Sequence, residues 1–177
     1  SEMCIRDSFN GVQWGKDKRY LRNNFTPASQ IASLFWDYYE FTGDEEFLKE
    51  RAYTFMKKAS HFYLDRLEWD EEKNEYFLKA SLYESAPIAY VKNRISDLNC
   101  IERLFKDCIR AAEILNVDKD EVKQWRHVLN HLWERGYQQF GECGEVISPA
   151  EEYYTEKRYS PWIWGHGGAV AFPAGLI

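Results

Sequence analysis

The chain has 177 residues, 45% of them hydrophobic, and a formal net charge of −6. That is enough apolar material for a core, in a length that fits one domain or part of a larger one. The acidic balance and the lack of any Lys/Arg cluster argue against nucleic acid, whose phosphates reward clustered cations, and no apolar run approaches the ~20 residues of a membrane span.

Aromatic residues are unusually frequent at 17%, with seven Trp and twelve Tyr. They suit a large aromatic core. They equally suit a sugar-binding surface, where a ring covers the apolar face of a pyranose while its polar edge stays wet. The first eight residues, Ser1-Glu2-Met3-Cys4-Ile5-Arg6-Asp7-Ser8, resemble the translated adapter sequence found at the ends of some metagenomic reading frames. They are read as an artefact, like a fusion scar, and set aside from fold reasoning. The other end, Gly175-Leu176-Ile177, stops without a polar tail. Residues 9–177 are therefore expected to be part of a domain truncated at both ends.

Thr26-Pro27 is a helix-start signal, a hydroxyl cap followed by proline at the first helical position. Ile31, Leu34, Phe35 and Tyr38 follow at helical spacing. Gly43 should end this helix, because glycine tolerates a left-handed cap, and Asp44 should cap the next. Leu48, Ala52, Phe55, Ala59 and Phe62 give that second helix an apolar stripe to about Arg66. Two helices joined so tightly must run antiparallel as an αα-hairpin. Glu68 to Lys79 then reads as a small β-hairpin with a polar turn at Asp70-Glu71-Glu72-Lys73. A loop over Ala80–Ile95 follows, carrying Glu84, Pro87 and Asn93.

Ser96 or Asp97 starts a third predicted helix, with Leu98, Ile101, Phe105, Cys108, Ala112 and Leu115 on its buried face. Asn116 closes it, and Asp118 or Asp120 caps a fourth. There Val122, Trp125, Leu129 and Leu132 repeat the stripe until Gly136. This second αα-hairpin, separated from the first by an elaborated loop, suggests a repeating helical toroid. From Tyr137 onward, glycines and prolines mark turns and short extended pieces. Cys100 and Cys108 lie eight residues apart on one helix, about 12 Å along its axis, too far for a disulfide. No pair of the four cysteines has metal-ligand spacing, so no metal and no cofactor is expected.

Acids and aromatics remain as the chemical toolkit, and they are what glycoside hydrolysis needs. One protonated carboxyl group protonates the leaving oxygen, and an ionised carboxylate across the sugar acts as base or nucleophile. Glu84 is the candidate acid. It lies off the charged helix faces, among Leu82, Tyr83, Ala86, Pro87 and Ile88, surroundings that raise a carboxyl pKa by desolvation. An ordinary exposed loop glutamate is the simpler reading of the same residues. Asp97 reads as a helix cap or first-turn acid. His166, flanked by glycines beside Trp162 and Trp164, is placed to meet a ligand. A backbone-bonded loop histidine fits the same pattern. His61, His127 and His131 read as packing or surface residues.

Several segments resemble one family. Trp36-Asp37-Tyr38-Tyr39-Glu40-Phe41-Thr42-Gly43-Asp44-Glu45-Glu46-Phe47-Leu48 looks like its "W-x-x-Y-x-(Y/F)-T-G-D-x-x-F-L" segment, and Ala59-Ser60-His61-Phe62-Tyr63-Leu64-Asp65 like the "A-x-F-(F/Y)-L-D" continuation. Ile95 to Phe105 resembles "T-x-D-x-x-x-I-R-E-L-F", and Ala111 to Asp118 resembles "A-A-E-I-L-G-V-D". His166 to Ile177 looks like a histidine segment running into "Y-P-G-x-x-I". These are segments of the family-95 glycoside hydrolases, the 1,2-α-L-fucosidases and related α-L-galactosidases, and the resemblance runs from about Trp14 to Ile177. It implies an (α/α)6 barrel, an inverting mechanism, a glutamate acid and a base assisted by asparagines. The family's "P-S-x-S-P-E" acid loop aligns with Lys79-Ala80-Ser81-Leu82-Tyr83-Glu84, with Tyr83 standing where the family has proline. This implies Glu84 as general acid and Tyr83, Trp162, Trp164 and His166 as substrate-binding residues. The base and its asparagine helpers are expected outside this stretch, before Gly11 and after Ile177, and the expected partners are a carbohydrate substrate and the rest of the same catalytic domain. A family-like enzyme would be periplasmic or secreted. Two other readings stay open: a polysaccharide lyase or phosphorylase on the same toroid, with Tyr83, Tyr90 or His166 in a Tyr/His pair, and a non-catalytic carbohydrate-binding scaffold.

Overall fold

A computed structural model describes residues 26–79, 81–83, 89–139, 144–148 and 150–153. The described chain is mostly helical, in two antiparallel αα-hairpins with short strands between and after them. Helix α1 (Thr26–Thr42) ends at Gly43, whose φ is +67°. Gly43 N–H closes the turn by donating to the Tyr39 carbonyl at 2.8 Å. The next helix starts at once, with Asp44 Oδ1 accepting from Phe47 N–H at 2.9 Å as an N-cap. It runs through α2 (Glu45–Phe47), a π-helical turn (Leu48–Ala52) and α3 (Tyr53–Leu64), so the two caps expected at this corner are present.

The second hairpin is α4 (Ile95–Leu115) and α5 (Lys119–Asn130). Helix α4 is the centre of the structure, packing against α1, α3 and α5. Its expected face is buried at Leu98, Ile101, Phe105, Cys108 and Ala112, and Leu104, Ile109 and Ala111 are buried besides. Asn116 closes it in the left-handed conformation at φ 52°, ψ 48°, as asparagine tolerates. The core gathers Trp36, Leu48, Met56, Tyr63, Phe105 and Trp125 around this helix.

The structure corrects several expectations. On α1 three of the four expected apolar residues face outward, Ile31, Leu34 and Tyr38 being 45%, 65% and 47% exposed, while Phe35 packs against the core. The buried side is Ser29, Ala32, Ser33 and Trp36, because small side chains let α1 lie close on α4. Leu48, Ala52 and Ala59 are buried as expected, but beyond the π turn the buried face moves round to take in Met56, Ser60 and Tyr63, and Phe62 is left exposed. The π turn causes this. Tyr53 N–H donates to the Leu48 carbonyl five residues back, which inserts a residue and rotates the following helix. This helix ends at Leu64 and not at Arg66. Helix α4 begins at Ile95, with Arg94 in the cap position and no side-chain cap. Asp118 stands at the α5 cap position with φ 52° and likewise makes no cap bond. Its carboxylate instead accepts from the Tyr53 hydroxyl at 2.7 Å and Lys57 Nζ at 2.8 Å, tying the two hairpins together. Helix α5 stops at Asn130 and not at Gly136, because the backbone of Leu132 bridges to Tyr76.

Strands β1 (Leu67–Asp70) and β2 (Glu75–Leu78) form the expected hairpin, Leu67 opposite Leu78 and Asp70 opposite Glu75. Asp70 Oδ1 accepts from the backbone N–H groups of Glu72 and Lys73 at 3.0 and 3.1 Å, which folds the polar turn. The segment expected as a loop holds two more strands, β3 (Ser81–Tyr83) and β4 (Ala89–Lys92). After α5 come β5 (Tyr137–Gln139), paired with β6 (Glu145–Ile147), and then β7 (Glu152–Tyr153). Cys100 and Cys108 are buried free thiols.

Candidate functional site

Of the residues singled out in the sequence, Tyr83 ends β3, with Ala89 opposite it on β4. Glu84, Trp162, Trp164 and His166 lie outside the described residues, as do residues 1–8. The strands that lead towards Glu84 and towards residue 154 are described. An antiparallel hairpin stack puts all connections of one kind at the same end. The short corners at Gly43 and Asn116 are at one end, and the strands that follow α3 and α5 are at the other.

There the chain forms a three-stranded sheet in the order β3-β4-β7. Ser81 pairs with Val91, and Val91 also pairs with Tyr153. Both outer strands run antiparallel to β4 and therefore parallel to each other. The backbone leaves β3 towards Glu84 and leaves β7 towards residue 154 in the same direction, with the two strands about 10 Å apart across the centre. The segment after the second hairpin thus returns to the segment after the first.

A buried polar cluster holds this arrangement. Asn93, fully buried with φ 51°, follows β4 directly. Its backbone N–H donates to the Leu78 carbonyl at 2.9 Å, and its side-chain oxygen accepts from Leu78 N–H at 2.7 Å. Its side-chain N–H donates to Glu151 Oε2 at 2.6 Å. Lys92 Nζ donates to Glu151 Oε1 at 3.1 Å, and Lys73 Nζ reaches the same oxygen at 3.0 Å. Lys92 Nζ also sits 4.7 Å from the centre of the Phe77 ring, a cation–π contact. Burial works against the charge of Glu151, but its donors Lys73, Lys92 and Asn93 outweigh that and hold its carboxyl below the ordinary carboxylate value. In the sequence Asn93 stands out only as a loop residue, and Glu151 does not stand out at all. A positive-φ asparagine between a strand and a helix leaves no periodic signal.

At the first turn of α4, Asp97 is fully buried, 3.9 Å from Arg94 Nη1. Its place as a first-turn acid agrees with expectation, and its depth does not. His127 and His131 pack with Trp69 and Tyr76, the two imidazoles having centres 4.3 Å apart. His61 bonds Glu121 at 2.9 Å. These histidines are packing and surface groups.

A cleft of about 1130 Å³ runs along α4 and α5, lined in part by Asn99, Glu102, Arg103, Asp107 and Arg135. Its charges satisfy one another. Arg135 donates to Asn99 at 2.6 Å and to Glu102 at 2.5 Å, and Arg103 to Asp107 at 2.5 Å and Asp37 at 2.9 Å. Among the described residues no group of three His, Cys, Asp or Glu is arranged to hold a metal, and no helix is long and apolar enough to cross a membrane.

Comparison with known proteins converges on sugar chemistry. The model of the glycosyl hydrolase family 95 catalytic domain matches residues 7–166. The chain is similar to protein-glucosylgalactosylhydroxylysine glucosidase of Dictyostelium discoideum, at 24% identity over 70% of the chain and 18% of that protein. It is similar to alpha-L-fucosidase 2 of Arabidopsis thaliana, at 28% identity over 49% of the chain and 11% of that protein. It is also similar to kojibiose hydrolase of Flavobacterium johnsoniae, at 39% identity over 29% of the chain and 8% of that protein. The chain spans less than a fifth of the length of these curated relatives.

Proposed function

The chain belongs to glycoside hydrolase family 95, and from that membership we propose that it supplies the general acid, Glu84, of an inverting glycosidase built as an (α/α)6 toroid. The observation that carries this reading is the position of Glu84. It stands at the end of the segment that aligns with the family's acid loop, inside the stretch 7–166 that the family covers. The shared direction of β3 and β7 supports a cleft to which Tyr83, Trp162, Trp164 and His166 also contribute.

In the reaction, Glu84 in its protonated form donates to the glycosidic oxygen as the bond to the anomeric carbon breaks. A carboxylate elsewhere in the protein takes a proton from the water that attacks the opposite face. In an inverting enzyme the two groups stand about 6.5–9.5 Å apart, leaving room for that water. The aromatic residues supply flat apolar surface for the sugar. The substrate is an α-L-fucoside or α-L-galactoside. A second reading, an α-glucoside, is favoured by the names of two relatives, a glucosidase and a kojibiose hydrolase. The isolated chain, without the base, is expected to be inactive.

The test uses the intact enzyme that carries this chain. A panel of α-L-fucosides, α-L-galactosides and α-glucosides identifies the glycoside that is hydrolysed fastest. Glu84→Gln keeps the size of the side chain and removes its proton. Hydrolysis of that glycoside should fall by about 10²–10⁴-fold. The fluoride of the same sugar, whose leaving group needs little protonation, should lose far less. Equal losses on both substrates remove Glu84 from the acid role.

A further inference from the structure

Resting on the reading of Glu84 as the acid, we propose that Asn93 and Glu151 are positioning residues for it. Together they form a clasp that fixes the β3–β4 hairpin against β2 and β7, and so sets where the chain entering Glu84 is held.

Glu84 follows β3, and β3 is described as bonded to β4 alone. The orientation of this pair therefore depends on what holds β4. Its first restraint is β7, through Val91 opposite Tyr153 and Lys92 opposite Glu152. Its second is Asn93, which joins the end of β4 to the end of β2 through both backbone groups of Leu78. Glu151 links the two restraints. Its backbone N–H donates to the Lys92 carbonyl at 3.0 Å, and its carboxylate receives Asn93 and Lys92. One carboxylate thus ties together β4, the chain entering β7, and the β1–β2 turn through Lys73.

The chemistry of the cluster favours a positioning role over simple stability. Asn93 is fully buried and Lys92 is 8% exposed. An ionic group held this deep is weak evidence for stability, because desolvation offsets much of its attraction. Asn93 makes three directed bonds within this cluster, to Leu78 and Glu151. General acid catalysis is sensitive to such geometry, since the proton must lie within hydrogen-bond reach of the leaving oxygen.

Two substitutions in the intact enzyme test the proposal. Glu151→Gln keeps the shape and removes the charge that gathers Lys92, Lys73 and Asn93. Asn93→Gly keeps the positive φ available and removes the amide, so backbone strain is not introduced. In each, kcat on the fastest glycoside should fall by about 10- to 100-fold, the scale of a misplaced group, with KM changed less than kcat. Hydrolysis of the glycosyl fluoride of the same sugar should fall less than threefold (about half a log unit, small on the scale of acid catalysis). The alkaline limb of the pH–rate profile should move. A clasp that only stabilises the fold would lower both substrates in proportion to the folded protein and leave the pH profile in place. Equal losses on both substrates, or an unchanged profile, overturn the proposal. Glu84→Gln, run alongside, separates the two failures. If Glu84→Gln spares the fluoride and the clasp variants do not, the clasp is wrong and the acid stands. If Glu84→Gln hits both substrates alike, the reading of the acid is wrong. If Glu151→Gln does not fold, Asn93→Gly decides.

Discussion

Asp107 on α4 should make the fold less stable as the solution is made less acidic, and Asp107→Asn should remove that dependence. The carboxylate is 2% exposed, with Arg103 Nε at 2.5 Å from Oδ2. Burial pushes its carboxyl up from the ordinary 3.8 to about 6, against the pull of Arg103. A folded-state value above the unfolded one means that the native state holds the proton more tightly. The associated stability is fully present below about pH 3.8 and is lost as the pH rises through about 6. The shift of roughly two pH units corresponds to about 3 kcal/mol, at 1.36 kcal/mol for each unit. Asparagine at this place cannot ionise, can still accept from Arg103, and leaves Arg103 its bond to Asp37 at 2.9 Å. The assay is urea unfolding of wild type and Asp107→Asn at pH 4.5, 6 and 7.5. The difference between the two proteins is followed so that other titrating groups cancel. Asp107→Asn should gain on wild type as the pH rises, by about 1–3 kcal/mol between the extremes. A constant difference across this range, or an asparagine variant that loses ground as the pH rises, would refute the reasoning.

Two further outcomes follow from the packing. Phe105→Ala, at a fully buried site on α4, should cost about 3–5 kcal/mol. Ile114→Ala on the same helix, 46% exposed, should cost well under that, and comparable losses in urea unfolding would mean that α4 is not the centre of the core. The outward row of α1, with Leu34 65% and Phe41 93% exposed, is apolar surface of the kind that drives association. The isolated chain should therefore self-associate, and Leu34→Lys with Phe41→Lys should reduce light scattering and dye binding without loss of helical circular dichroism. Unchanged scattering would place the sticky surface elsewhere.

How far the sequence reveals this structure depends on which physical signal each part carries. Caps are local and chemical, so Gly43, Asp44 and Asn116 are legible where the helices turn. Helix α4 is legible because its buried face is made of large apolar residues. Helix α1 misleads because its buried side uses Ser29, Ala32 and Ser33, whose value lies in small size and not in hydrophobicity. The shift on α3 comes from a π turn, which depends on a backbone bond that no side chain announces. Strands β3 and β4 are too short for alternation to register, and β4 is held mainly by its partners. Glu84 stands out through family resemblance, since its immediate neighbours fit an ordinary loop glutamate equally well. The Asn93–Glu151 clasp joins residues 58 positions apart, and only the folded chain brings them together.

The proton given to the leaving oxygen decides whether Glu84 is the acid, and the pH dependence of kcat/KM tests its source most directly. Wild-type intact enzyme acting on its fastest glycoside should lose activity on the alkaline side, as the acid that protonates the leaving oxygen ionises. The Glu84→Gln enzyme, measured on the same glycoside at a higher enzyme concentration so that its rate is readable, should lack that alkaline limb. The limb in Glu84→Gln at the same pH as in wild type would mean that another group carries the proton, and Glu84 would no longer be the acid.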